Sequence, residues 1–144
     1  MKRFMLDTNT VSHLVRKHVS VAKRIVQQPM AALCISAITE AELLYGLARR
    51  PEAKRLHAAV SEFLRRIDSL PWDHVAAERY GKAKAQMESL GKMLAPFDML
   101  IASHALSLGL VLVTNDQVFS HLLDLETEDW TVDKARKPVR RQVT

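Results

Sequence analysis

Short apolar segments of three or four residues alternate with longer amphipathic segments along most of the chain. Three of the short segments have the composition of buried strands: Phe4–Leu6, Ala32–Ile35 and Leu110–Val113. Weaker strand candidates lie around Ile67–Leu70 and Asp129–Val132. Strands separated by helices pair in parallel through right-handed crossovers. The alternation therefore predicts an α/β fold, a three-layer α/β/α sandwich around a central, mainly parallel sheet.

Three of the longer segments carry clear helical patterns. Apolar residues recur at helical spacing on one face of residues 56–67. Residues 76–90 show the same pattern and follow Asp73, a residue type that often caps a helix N-terminus. The segment Pro96–Leu108 begins with a proline and is followed by Gly109, which favours a helix with both ends marked.

Length and composition indicate a soluble globular domain. The chain has 144 residues, of which 48% are hydrophobic, and only 4 are glycines, which excludes a disordered or low-complexity chain. The single cysteine excludes an internal disulfide and a multi-cysteine zinc site, and it suits a reducing compartment. The first apolar run ends at Asp7, too early for a signal peptide, and no run is long enough to span a membrane. We therefore expect a cytoplasmic protein without a membrane segment.

The positive charge is concentrated at the C-terminus. The formal net charge is +5, and residues 132–144 carry five basic residues against one acid, so residues 1–131 hold a net charge of only +1. We therefore divide the chain into a folded domain, 1–131, and a basic C-terminal tail, 132–144. A basic tail can bind nucleic acid through phosphates, but a short charged end is more often simply solvated. The tail alone does not decide the function.

Four acids follow the predicted strands. Asp7 comes directly after the first strand, Glu42 lies in the helical segment after the second, and Asp98 lies in the first turn of the segment that starts at Pro96. Asp116 follows the strand that ends at Val113. Each position also has a local explanation: Asp7 as an N-cap, Asp98 at a helix dipole, Asp116 in a turn, and Glu42 in a capping box with Thr39.

The four acids gain significance as a set. The carboxyl ends of parallel strands meet at one edge of a sheet, where ligands bind in open α/β folds. Carboxylates gathered there would repel one another unless a cation neutralised them. Oxygen ligands without histidine or thiolate favour Mg²⁺, for which Mn²⁺ can substitute. Such a site can hydrolyse a phosphodiester. The six histidines show no metal-binding spacing and are interpreted as surface or packing residues.

Several motifs together resemble the PIN-domain ribonucleases, and specifically the VapC toxins of type II toxin-antitoxin systems. The resemblance spans nearly the whole chain. Its carriers are FMLDTN at 4–9, CIS at 34–36, ELLYG at 42–46, PFDMLIASHA at 96–105, VTND at 113–116 and EDW at 128–130. Each motif is short, and their order and spacing make the combination specific.

The resemblance implies a PIN-like fold and a Mg²⁺-dependent endoribonuclease that cleaves a structured RNA, with a tRNA as the expected substrate. By position, Asp7, Glu42, Asp98 and Asp116 would be the catalytic and metal-binding acids. Metal-activated water would attack a backbone phosphate and leave 5′-phosphate and 3′-hydroxyl ends. The resemblance further implies a homodimer and neutralisation by a cognate VapB-type antitoxin.

Three further positions bear on the details of the site. Asn9 and Thr114 match polar positions of the family that help to orient the acids. Many relatives have another acid two residues after the position of Asp116, where this chain has Val118. A fifth acid is therefore missing at that position, and the sequence leaves open whether the site binds one metal or two.

Two other functions are compatible with the residues. The first is a phosphatase that forms an aspartyl-phosphate on Asp7, although Asn9 stands where such an enzyme has a second acid. The second is a non-catalytic module that binds RNA or an antitoxin, in which the acids serve only as helix caps and turn residues. These two functions require no gathered cluster of acids, which a structure can test.

Overall fold

The computed structural model describes residues 2–133, which form a parallel sheet covered by helices on both faces. The strands are β1 (Phe4–Leu6), β2 (Leu33–Ser36), β3 (Asp68–Leu70), β4 (Val111–Val113) and β5 (Thr127–Glu128). The helices are α1 (Thr8–Val15), α2 (Val19–Val26), α3 (Ala37–Ala48), α4 (Lys54–Arg66), α5 (His74–Ser89) and α6 (Pro96–Leu108). Short 3₁₀ turns lie at Met30–Ala32 and Gln117–His121.

The strand order is β3-β2-β1-β4-β5, and each neighbouring pair is parallel. Successive side chains of a strand point to opposite faces, so the central strands β1, β2 and β4 contribute to two cores. In β1, Phe4 and Leu6 pack into the core that contains Val11 of α1 and Val60 of α4. Met5 packs into the other core, beneath α5 and α6. The predicted three-layer α/β/α sandwich is thus confirmed.

The three predicted helices are also confirmed, as α4, α5 and α6. The Asp73 carboxylate accepts a hydrogen bond from the backbone N–H of Ala76 at the start of α5. Pro96 occupies the first turn of α6, and Gly109 ends that helix in the left-handed conformation, with φ of 64°. Most side chains would be strained at this φ, which explains why glycine follows the helix.

The last strand lies two residues before its predicted position. The prediction around Asp129–Val132 was wrong, because β5 covers Thr127–Glu128 and the following residues turn. The Asp129 carboxylate accepts the backbone N–H of Thr131, which closes the turn. Trp130 is buried there, with its ring centroid 5.1 Å from that of Phe4. Its burial against the neighbouring strand produced the strand-like pattern.

The predicted capping box of Thr39 and Glu42 does not form. The N-cap of α3 is Ser36, whose hydroxyl accepts the backbone N–H of Ile38 at 3.1 Å. The same hydroxyl lies 2.8 Å from Nδ1 of His104 on α6, and both side chains are buried. Burial lowers the pKa of His104, which favours the neutral ring. Ser36 therefore both caps α3 and links the start of that helix to α6.

Most of the basic tail lies outside the described residues. The proposed boundary after residue 131 therefore stays a prediction. Within residues 2–133, none of the helices has both the length and the apolar character required to cross a bilayer.

Candidate active site

Asp7 occupies the junction between β1 and α1. Its backbone N–H donates to the carbonyl of Val113 on β4, and its side chain accepts the backbone N–H of Thr10 at 2.8 Å. The residue is only 4% exposed. Burial raises the pKa of the Asp7 carboxyl, hydrogen bonds from Thr114 and Thr10 offset part of that rise, and the charge of Asp116 adds to it. Asp7 is therefore a helix cap, and it is also a buried acid that experiences the negative charge of Asp116.

Asp98 lies in the first turn of α6 and is half-buried. Its pKa rises from 3.8 to about 6, first because of burial and then because of the negative charges of Asp116, Glu42 and Asp7. Coulomb effects of this kind require neighbouring charges at short range. Asp98 therefore lies within electrostatic range of the other three acids, which are far from it in sequence.

Glu42 is oriented by a residue that sequence reasoning missed. The Thr8 hydroxyl donates a hydrogen bond of 2.6 Å to Oε1 of Glu42, across 34 residues of chain. Thr8 also lies 3.4 Å from the hydroxyl of Thr39. A threonine directly after Asp7 was visible within the DTN motif, but only the β1–β2 pairing brings α1 and α3 side by side. No sequence pattern links Thr8 with Glu42.

Thr114 connects Asp7 and Asp116. Its hydroxyl oxygen accepts the backbone N–H of Asp116 at 3.1 Å, and the same buried hydroxyl hydrogen-bonds the Asp7 carboxylate. Asp116 itself is exposed and accepts the backbone N–H of Val118. Asn9, by contrast, is exposed and has no hydrogen bond to any of the four acids among residues 2–133.

The charges at this site lack basic partners. Within the described residues, none of the four acids forms an ion pair with a lysine, arginine or histidine. Capping explains Asp7 and Asp116, but neither Glu42 nor Asp98 serves as an N-cap. Carboxylates that lie near one another without basic partners repel one another and do not stabilise the fold. The helix dipole favours a carboxylate at Asp98 in the first turn of α6, so Glu42 is the member of the set without a local structural role.

The donor chemistry fits a hard divalent cation. The groups are four carboxylates with threonine hydroxyls among them, and no nitrogen or sulfur ligand belongs to the set. Within residues 2–133, no three Asp, Glu, His or Cys side chains already converge closely enough to surround one ion. Side-chain rotation would be needed to close a coordination shell.

A cavity of about 180 Å³ opens beside the acids, between α1, α3 and α4. Thr8 and Glu42 line its end nearest the cluster, and Arg16 and Arg50 add positive charge to its wall. The site thus combines a negative cluster with a basic approach, an arrangement suited to a phosphate backbone near a bound cation.

The chain is similar to known proteins over most of its length. The sequence profile of the PIN domain matches residues 4–124. The chain is 36% identical, over 91% of its own length and 100% of the relative, to the tRNA(fMet)-specific endonuclease VapC of Shigella flexneri. This chain belongs to the VapC family of PIN-domain ribonucleases. It is also 34% identical to ribonuclease VapC2 of Haemophilus influenzae, over 90% of this chain and 99% of that protein.

Solved structures of VapC-family complexes share the fold. Superposition on DNA-bound VapBC from Salmonella typhimurium gives a TM-score of 0.84 at 36% identity, covering 90% of this chain and 99% of that one. VapBC2 from Rickettsia felis, bound to a DNA fragment from its promoter, gives a TM-score of 0.81 at 28% identity, with coverage of 88% and 98%. The structural similarity therefore extends over about nine tenths of this chain.

Proposed function

We propose that this chain is the toxin of a type II toxin-antitoxin system, a Mg²⁺-dependent endoribonuclease that cuts tRNA. Membership of the VapC family supports the ribonuclease activity. The observation that supports the assignment of the site is the placement of its acids: Asp7 directly follows β1, Asp116 lies just after β4, and Asp98 lies within electrostatic range of both and of Glu42. The relative named as tRNA(fMet)-specific makes tRNA(fMet) the first substrate to test.

The proposed roles follow from position and hydrogen bonding. Asp7, Asp98 and Asp116 would hold Mg²⁺, for which Mn²⁺ could substitute, and Glu42 would act as a ligand or orient the attacking water. The bound cation would supply charge neutralisation at the phosphate and a lowered pKa of water. The Glu42 carboxylate, fixed by Thr8, can accept a proton from that water. Attack on phosphorus then breaks the bond to the 3′ oxygen and leaves a 5′-phosphate and a 3′-hydroxyl.

Two threonines would support these roles without touching the substrate. Thr114 hydrogen-bonds both the Asp7 carboxylate and the backbone of Asp116, and so would fix the position of one acid relative to the other. Thr8 restrains Glu42 in the same way. The orienting role expected for Asn9 stays a prediction, because no hydrogen bond to an acid supports it among the described residues.

The partners follow from the family. The solved relatives are toxin-antitoxin complexes, so a VapB-type antitoxin is the expected inhibitor, and a homodimer the expected assembly. A tRNA substrate and a free buried cysteine both suit the cytoplasm, where we place the protein. The phosphatase alternative is not favoured, because Asn9 supplies no second acid after Asp7.

Cleavage of tRNA by the purified protein tests the proposal. Asp7→Asn removes the charge but keeps a side chain that caps helices well, so the fold is expected to survive. We expect the single-turnover cleavage rate in Mg²⁺ to fall by at least about 100-fold, as for loss of a metal ligand. The matched control is Asp68→Asn, which removes an exposed acid that pairs with Arg3. Equal rates for Asp7→Asn and the unmodified protein would overturn the mechanism.

A further inference from the structure

The exposed face of α3 carries an aromatic and cationic stripe next to the acids. Glu42, Tyr45, Gly46 and Arg49 are spaced by three, one and three residues, which places them on one face of the helix. Tyr45 is 63% exposed, although aromatic rings of this size are usually well buried. A single exposed aromatic residue is common, so the argument depends on what surrounds it.

A guanidinium group stacks on the exposed ring. The Cζ atom of Arg49 lies 5.5 Å from the centroid of the Tyr45 ring, within cation–π distance. Arg49 is the C-cap of α3, where an arginine can hydrogen-bond the last carbonyls of its helix. Its side chain instead lies over the ring, so the pair forms a flat surface with one positive charge.

The space around the pair is open. A Cβ atom built at Gly46 would have no neighbour within 4 Å, and Gly46 lines the cavity beside Glu42. The absence of a side chain there leaves a path from the acids to the Tyr45 ring. Seven residues separate Glu42 from Arg49, a rise of about 10 Å along the helix. That distance corresponds to about three stacked nucleotides at about 3.4 Å each.

We propose that Tyr45 and Arg49 bind the RNA strand that flanks the cut phosphate, with a base stacked on the pair and a phosphate near the guanidinium. Single-stranded nucleic acids bind to surfaces that combine aromatic rings with positive charge, and any base can stack. This proposal rests on the proposed function for its ligand, RNA. It adds a substrate-binding surface outside the acid cluster, which would place the strand over Glu42.

Equilibrium binding without cleavage tests this surface. The full-length protein is titrated, in EDTA, into a fluorescein-labelled single-stranded RNA of about ten nucleotides, a length typical of such sites. We expect Tyr45→Leu to weaken binding by about 5- to 100-fold, because leucine is apolar but offers no ring for stacking. Tyr45→Phe keeps the ring and is expected to bind within about twofold of the unmodified protein.

The contribution of the Arg49 charge is measured by the salt dependence of RNA binding. Arg49→Ala is expected to weaken binding and to reduce the slope of log Kd against log salt by about 0.7, the value for one phosphate contact of a single strand. The matched control is Lys84→Ala, since Lys84 also stacks on a tyrosine, Tyr80, at 5.7 Å on α5. Lys84→Ala should leave both the affinity and the slope unchanged.

Unchanged RNA binding by Tyr45→Leu would overturn the proposal, as would equal losses for Arg49→Ala and Lys84→Ala. If Tyr45→Leu weakened only the antitoxin complex or the homodimer, the surface would be a protein contact and the proposal would again be wrong. Failure of the nuclease proposal is distinguishable, because tRNA would then stay intact in Mg²⁺ while the binding pattern of the variants persisted.

Discussion

The two edges of the sheet, at the amino and carboxyl ends of its parallel strands, differ in whether their charged side chains are paired. Before the strands begin, Lys2 pairs with Glu126 at 2.8 Å, and Arg3 lies 3.6 Å from Asp68. At the carboxyl edge the acids have no basic partner among the described residues, and burial together with the charges of Asp116, Glu42 and Asp7 raises the pKa of Asp98. The charges of one edge are thus paired within the fold, whereas those of the other edge are not.

The two edges also differ in the interactions that stabilise their structure. The ion pairs of the amino edge are largely exposed and contribute little to stability. The carboxyl edge is held by buried neutral hydrogen bonds, such as those of Ser36 and Thr10. A buried donor or acceptor that loses its partner costs more than an exposed pair contributes. Functional carboxylates are thus tolerated because neutral groups around them fix the backbone.

The largest expected effect on stability is at Ser36. Ser36→Ala removes the N-cap of α3 and leaves a buried nitrogen of His104 without its partner, so we expect the free energy of unfolding to fall by about 2 kcal/mol. Lys2→Ala, at the amino edge, should lower it by less than about 0.5 kcal/mol. Urea denaturation of both variants makes the measurement. Similar losses for the two would remove the distinction between the edges.

A smaller effect is expected on activity at Thr8. Thr8→Val keeps the shape of the side chain but removes the hydroxyl that orients Glu42, so tRNA cleavage should slow by about tenfold, as for other residues that orient ligands. Thr127→Val, an exposed substitution in β5, is the control and should cleave at the normal rate. A full rate for Thr8→Val would show that Glu42 needs no such restraint.

The smallest effect concerns the stability of the metal-free protein. The folded pKa of Asp98, about 6, exceeds its ordinary value of 3.8, so folding is penalised as pH rises from about 4 through 6. Asp98→Asn removes that penalty. We expect the variant to be more stable in EDTA at pH 7.5 by about 1 kcal/mol, a figure reduced for the partial exposure of the group.

Unfolding experiments at several pH values provide the check. The advantage of Asp98→Asn over the unmodified protein should shrink as pH falls below 6 and vanish below about 4. Asp68→Asn, whose carboxylate has a basic partner, should show no such gain. A stability loss for Asp98→Asn at pH 7.5 would mean that the carboxylate stabilises the fold, contrary to the comparison of the two edges.

The sequence predicts those parts of the site that depend on strand ends. The placement of Asp7 and Asp116 follows from the apolar runs before them, and that of Asp98 from the proline that starts its helix. The contacts around them were not predictable, because Thr8 meets Glu42, and Ser36 meets His104, only after distant segments have packed. The capping box that Thr39 and Glu42 offered as a local explanation does not form, because the helix begins three residues earlier, with Ser36 as its N-cap.

Thermal unfolding of the EDTA-stripped protein with added Mg²⁺ or Mn²⁺ tests the central claim most directly. A cation held by the acids of the folded state should raise the melting temperature, by the equivalent of about 2.7 kcal/mol when its concentration is 100 times Kd. The rise should be lost in Asp7→Asn and Asp98→Asn and kept in Asp68→Asn. No rise in the unmodified protein, or an equal rise in all three variants, would contradict a shared metal site at this edge.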